Sequence, residues 1–144
     1  MTLAGVGDVA KVKKKPEVLV VEDEASVLLT YRLLLEENGY KVFTALSSQE
    51  AATVLARKRF DLVLCDLSLE QNHTGFEVFE RVWKRYPKVP CVMLTGYANR
   101  ETTERAEKAG ITVFFKPIEI EEFLQALKSM LRSSHGKPAK ANAD

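Results

Sequence analysis

The chain is poor in the residues that build covalent or metal scaffolds, with two cysteines and two histidines among 144 residues. Cys65 and Cys91 each sit in an apolar run, LVLC and CVML, so they read as small core residues of a reducing compartment and not as a disulfide. His73 and His135 stand alone, which excludes the spacing of a zinc site. No apolar run approaches the roughly 20 residues of a membrane helix. The first ten residues lack the charged start and long apolar stretch of a secretory leader. A dominant charge is missing too: 21 basic side chains face 20 acidic ones. That balance hides an asymmetry, because residues 17–132 hold 18 acidic and 15 basic side chains. A mildly acidic body argues against a nucleic-acid surface, and the cluster Lys11, Lys13, Lys14 and Lys15 reads as a solvated tail.

What is present suits one domain. Apolar residues make up 46% of the chain, enough for a core at this length. Residues 1–15 and 133–144 lack periodicity and are expected to be flexible tails around a domain at 16–132. Within it, the apolar runs VLVV, KVFTAL, LVLC, CVML and TVFF alternate with amphipathic stretches. Four of the five runs are nearly continuous, as in strands buried on both faces of a parallel sheet.

The intervening stretches read as helices. The first covers 24–38, with Val27, Leu28, Tyr31, Leu34 and Leu35 on its apolar face and a stop at Asn38-Gly39. The second opens on a Ser47/Glu50 capping box. The third covers 75–86, with Phe76 and Trp83 as core or half-buried positions. The fourth, 99–109, is mostly polar, and the fifth covers 119–131. Alternation of five strands with five helices predicts an α/β doubly wound parallel sheet. The flavodoxin-like order 2-1-3-4-5 is the common solution and the one expected.

In such sheets ligands bind beyond the carboxyl ends of the strands. Glu22, Asp23 and Glu24 follow the first run, Asp66 the third, Thr95 the fourth and Lys116 the fifth. Singly, each has an ordinary explanation as a helix cap or a solvated charge. Jointly they do not, because carboxylates gathered at one edge repel unless a cation compensates. An oxygen-only donor set suits a hard cation, Mg²⁺ first. A hydroxyl and an ammonium beside it suit an arriving phosphoryl group.

The motifs VLVVEDE, LVLCDLSL, VMLTGYA and FFKPI together resemble the receiver domain of bacterial two-component response regulators, from about Pro16 to Arg132. The resemblance implies that Asp66 accepts a phosphoryl group and that Mg²⁺ is held by Glu22, Asp23, Asp66 and the backbone carbonyl of Ser68. It implies that Thr95 is the switch hydroxyl, that Lys116 pairs with the phosphoryl group, and that the Lys116-Pro117 peptide is cis. It further implies a histidine kinase or phosphotransfer protein as donor, a cytoplasmic setting, and a monomer or weak dimer. The domain would signal and not act as an enzyme, beyond slow self-phosphorylation and self-dephosphorylation. The polar residues 133–144 are too few for an output domain, so output is expected through a separate protein, or the chain is a fragment of a longer one. No direct contact with nucleic acid or membrane is expected.

Three departures from the family pattern stand out. Glu70 replaces a frequent proline and Gly75 comes one residue late, so the loop 67–74 before the third helix is expected to be longer and freer. Val113 stands where the family carries a switch aromatic, with Phe114 and Phe115 as possible substitutes. Gly96 replaces a frequent alanine. The rival reading is a receiver-like module that binds partners without phosphorylation. A flavin site is disfavoured by the acidic EDEAS segment, and an Asp-nucleophile phosphatase by Ser68 at the position of its second acid.

Overall fold

The five apolar runs become five parallel strands ordered β2-β1-β3-β4-β5, as expected. The computed structural model describes residues 14–66, 72–96 and 100–136, with 72–75 and 134–136 described by backbone alone. The strands are β1 (Glu17–Glu22), β2 (Lys41–Ala45), β3 (Leu62–Asp66), β4 (Cys91–Thr95) and β5 (Thr112–Phe115). The helices are α1 (Ala25–Glu37), α2 (Ser48–Leu55), α3 (Asn72–Arg85), α4 (Arg100–Ala109) and α5 (Ile120–Gly136).

The continuous apolar character of β1, β3 and β4 has a direct cause. Successive side chains point to opposite faces of a sheet, and here both faces are covered. Val18, Val20, Leu62, Leu64, Val92 and Leu94 pack with Leu28 and Leu35 of α1 and Phe123, Leu127 and Leu131 of α5. Leu19, Val21, Val63, Cys65, Cys91 and Met93 pack with Ala51 and Leu55 of α2, Phe79 and Val82 of α3, and Ala106 of α4. Each fully buried side chain of this size contributes roughly 1.5–3 kcal/mol.

Chain punctuation follows local chemistry. Gly39 closes α1 at φ +96 and Gly110 closes α4 at φ +85, the left-handed region that a side chain resists. The Ser47 hydroxyl accepts from the Glu50 N–H at 3.1 Å, while the Glu50 carboxylate accepts from the Leu46 N–H at 2.7 Å. Trp83 is half-buried, stacks on Phe79 at 6.3 Å and donates from Nε1 to the Val89 carbonyl at 2.9 Å. Phe76 is buried, and the Arg105 guanidinium of α4 lies 4.0 Å from its ring centre. Cys65 and Cys91 are free and buried, and burial pushes both thiols well up from their ordinary range.

Two helix boundaries differ from expectation. The third helix starts at Asn72 and not at Gly75, so Asn72, His73 and Thr74 belong to a helix and not to a long loop. The absence of proline at Glu70 and a residue type favoured at helix starts, Asn72, allow the helix to take up the extra length. Residues 67–71 lie outside the described residues. The fifth helix runs to Gly136, five residues past Leu131. Ser133, Ser134 and His135 include no glycine or proline to interrupt a helix.

Candidate functional site

Register places the acids before any side chain is considered. Glu22 and Asp66 are the last residues of neighbouring strands and pair directly across β1 and β3. Both are buried, at 4% and 1% exposure. By strand alternation they continue the rows that face α1 and α5, whereas Thr95 continues the row of Cys91 and Met93 that faces the other helix layer. Thr95 is also buried. It pairs with Phe115 across β4 and β5, and its carbonyl accepts from the Lys116 N–H at 2.8 Å. That bond fixes where the chain leaves β5, through the cis Lys116-Pro117 peptide.

From there Lys116 reaches back to the acids. Its Nζ lies 2.8 Å from Asp66 Oδ1, with the lysine side chain 41% exposed and the aspartate 1%. The other oxygen is also taken: the Tyr31 hydroxyl on α1 donates to Asp66 Oδ2 at 2.5 Å. Burial, and then the hydrogen bond and charge of Asp66, push the Tyr31 phenol well above its ordinary value. Glu22 is pushed up to about 8, first by burial and then by the negative charge of Asp66 and hydrogen bonds with Asp23 and Asp66. The Glu24 N–H, which donates to Glu22 Oε2 at 2.7 Å, opposes that rise without cancelling it. Burial first, and the charge of Asp66 after it, hold the proton on Glu22 at neutral pH.

The donor set is suited to Mg²⁺. It consists of oxygens, it is short of positive charge, and Asp23 directly follows Glu22 at the end of β1. Among the described residues no three acid, histidine or cysteine side chains converge into a ready-made cage. Ser68, whose carbonyl was the fourth expected ligand, lies outside the described residues.

The structure thus brings Glu22, Asp23, Asp66, Thr95 and Lys116 to one edge of the sheet. Sequence reasoning missed Tyr31. It was placed on the apolar face of α1, which is correct for the ring, but the face also ends at Asp66. The available signal was a polar tip on an apolar stripe, since a buried tyrosine hydroxyl usually finds a partner.

A family model described as the response regulator receiver domain matches residues 18–128. This chain belongs to that family. The transcriptional regulatory protein GlrR of Escherichia coli is 31% identical to this receiver over 122 residues, covering 84% of this chain and 27% of the relative. The alginate biosynthesis transcriptional regulatory protein AlgB of Pseudomonas aeruginosa is 35% identical over 98 residues, covering 68% of this chain and 22% of the relative. This receiver therefore spans about a quarter of the curated relatives it matches. Among solved structures, a CheY-like receiver domain protein from Methanospirillum hungatei superposes with TM-score 0.75 at 27% identity, covering 83% of this chain and 96% of that one. The chemotaxis response regulator CheY4 of Vibrio cholerae superposes with TM-score 0.70 at 28% identity, covering 81% and 98%. The receiver is a signalling domain of two-component response regulators, and among its described residues no helix is long and apolar enough to cross a membrane.

Proposed function

We propose that this receiver accepts a phosphoryl group on Asp66 from a histidine kinase or phosphotransfer protein, in a step that requires Mg²⁺. The observation that carries the reading is a carboxylate 1% exposed at a strand end, held 2.8 Å from a lysine ammonium and paired in register with a second buried acid. Such an arrangement is costly for folding, and it suits phosphoryl transfer, which depends on positioning and charge compensation.

Asp23 and Asp66 would ligate Mg²⁺ directly, Glu22 through water, and Ser68 by its backbone carbonyl. The ion, when bound, offsets the charge of the acids and of the incoming phosphoryl oxygens. An Asp66 oxygen forms the new bond to phosphorus as the bond from phosphorus to the donor breaks, and the donor's leaving group departs with that electron pair. Lys116 is half exposed and flexible, so its ammonium can follow the phosphoryl oxygens while staying near Asp66. The Thr95 hydroxyl donates to a phosphoryl oxygen from the opposite row of the sheet.

Phosphorylation then shifts a pre-existing equilibrium between two surface states, with α4, β5 and α5 as the face presented to the downstream output partner. The functional unit is residues 16–132, a monomer or weak dimer in the cytoplasm, with slow self-phosphorylation and self-dephosphorylation. The test is intact-mass measurement after incubation with Mg²⁺ and acetyl phosphate. The native chain gains the mass of one phosphoryl group, and neither Asp66→Asn nor a chelated sample does. A gain that survives in Asp66→Asn, or no gain in the native chain, overturns the reading.

A further inference from the structure

We infer that the Tyr31 hydroxyl, acting through the phosphoacceptor, shortens the life of the phosphorylated state. The inference rests on the reading of Asp66 as the acceptor. Its starting point is that the two oxygens of Asp66 are not equivalent. Oδ1 faces the Lys116 ammonium at 2.8 Å, on the half-exposed side of the site, and Oδ2 accepts from the Tyr31 hydroxyl at 2.5 Å. The ring of Tyr31 is partly buried against the core layer shared by α1 and α5. A packed ring with two side-chain torsions is a rigid arm. The flexible, half-exposed Lys116 can move off Oδ1, whereas the packed Tyr31 stays on Oδ2, so Oδ1 is the oxygen that meets phosphorus.

The same contact affects the lifetime through the charge on its acceptor. When phosphorus bonds to Oδ1, the donor's bond to phosphorus breaks and Asp66 becomes a mixed anhydride, whose Oδ2 is a neutral carbonyl oxygen. A hydrogen bond to an ionised acceptor is roughly twice as strong as one to a neutral acceptor. The Tyr31 hydroxyl therefore stabilises the free carboxylate more than the acyl phosphate. In hydrolysis, a water oxygen bonds to phosphorus, the bond from phosphorus to Oδ1 breaks, and its electron pair returns to the carboxylate. Part of that charge develops on Oδ2, where the phenol already donates, as oxyanion donors act elsewhere. Release of inorganic phosphate is thus assisted by Tyr31. Formation of the acyl phosphate, which withdraws charge from Oδ2, is not.

The experiment uses the full chain with Mg²⁺ and acetyl phosphate. Gain of mass is followed first, and loss of mass after the donor is removed by desalting. Tyr31→Phe keeps the ring and removes the hydroxyl. It is expected to gain phosphate no more slowly than the native chain and to lose it about threefold to tenfold more slowly. Tyr31→Met, which fills similar space without a hydroxyl, gives the same slowing and replaces Y31F if that variant does not fold. A residue that mattered only for packing would slow the gain and leave the loss unchanged, and that result overturns the inference. Equal loss rates in the native chain, Y31F and Y31M overturn it alone, leaving Asp66 as the acceptor. A native chain that never gains phosphate overturns both readings.

Discussion

Replacing Glu22 by glutamine isolates the electrostatic cost of the site. Glutamine has the shape of the protonated acid, can accept from the Glu24 N–H as Glu22 does at 2.7 Å, and can donate toward Asp66. The perturbation therefore removes titration and little else. The carboxyl of Glu22 rises from 4.5 to about 8 in the folded chain, while in the unfolded chain it keeps its ordinary value. Below about pH 4.5 both states hold the proton and no stability is lost. Between about 4.5 and 8 the unfolded state ionises and the folded state does not, so native stability falls as pH rises, by about 1.4 kcal/mol per pH unit. The full loss by pH 8 is about 3–5 kcal/mol, a large share of the 5–15 kcal/mol typical of a domain. Urea unfolding of the native chain and Glu22→Gln at pH 5, 7 and 8.5, with a chelator present, measures it. The two should differ by less than about 1 kcal/mol at pH 5, and the variant should be more stable by several kcal/mol at pH 8.5. Saturating Mg²⁺ should close much of that gap by compensating the native acid. Parallel pH profiles for the two proteins would refute the account of Glu22 as a buried acid that resists ionisation.

Three further outcomes are expected. Asp23→Asn weakens Mg²⁺ binding at least tenfold by calorimetric titration and leaves the metal-free chain no less stable, since it removes one charge from a crowded edge; unchanged affinity would contradict its role. Lys116→Met slows phosphate gain at least tenfold while Mg²⁺ affinity changes little, and because the ammonium is 41% exposed its stability cost is about 1–2 kcal/mol; an unchanged rate of gain counts against the pairing. Phe79→Ala, at a position with 0% exposure, costs about 3–5 kcal/mol in urea unfolding; a loss under 1 kcal/mol would show that the core repacks there.

The fold was legible because parallel strands covered on both faces cannot hide their pattern. LVLC and CVML must be apolar at every position when odd residues meet one helix layer and even residues the other. The acids were legible for a related reason, since only strand ends deliver them to one edge. Helix boundaries were less so. Gly75 looked like a start, yet the structure carries α3 back to Asn72, where no proline intervenes. Ser133 looked like the beginning of a tail, yet α5 continues to Gly136. The role of Val113 stayed open in the sequence because β5 holds three adjacent large apolar residues. The structure separates them: Val113 packs toward α4, Phe114 meets Phe123 at 5.5 Å, and Phe115 stays 45% exposed beside Thr95. Tyr31 carried only the signal of a polar tip, because a helical stripe records which residues face the core and not which of them reach its end.

The thin anchoring of α4 has a consequence for how a signal leaves the domain. Ala106 is the helix's buried residue, and the Arg105 guanidinium over the Phe76 ring adds a contact worth about 1 kcal/mol. A segment attached this lightly opens and reseats at a small fraction of the cost of global unfolding. If its alternative seat lies about 1.4 kcal/mol above the resting one, it is occupied roughly one time in ten. An equal bias from the phosphorylated edge then brings the two seats level. The domain can be stiff where it does chemistry and still respond to a modest input, because the element that must move is the one its core holds least.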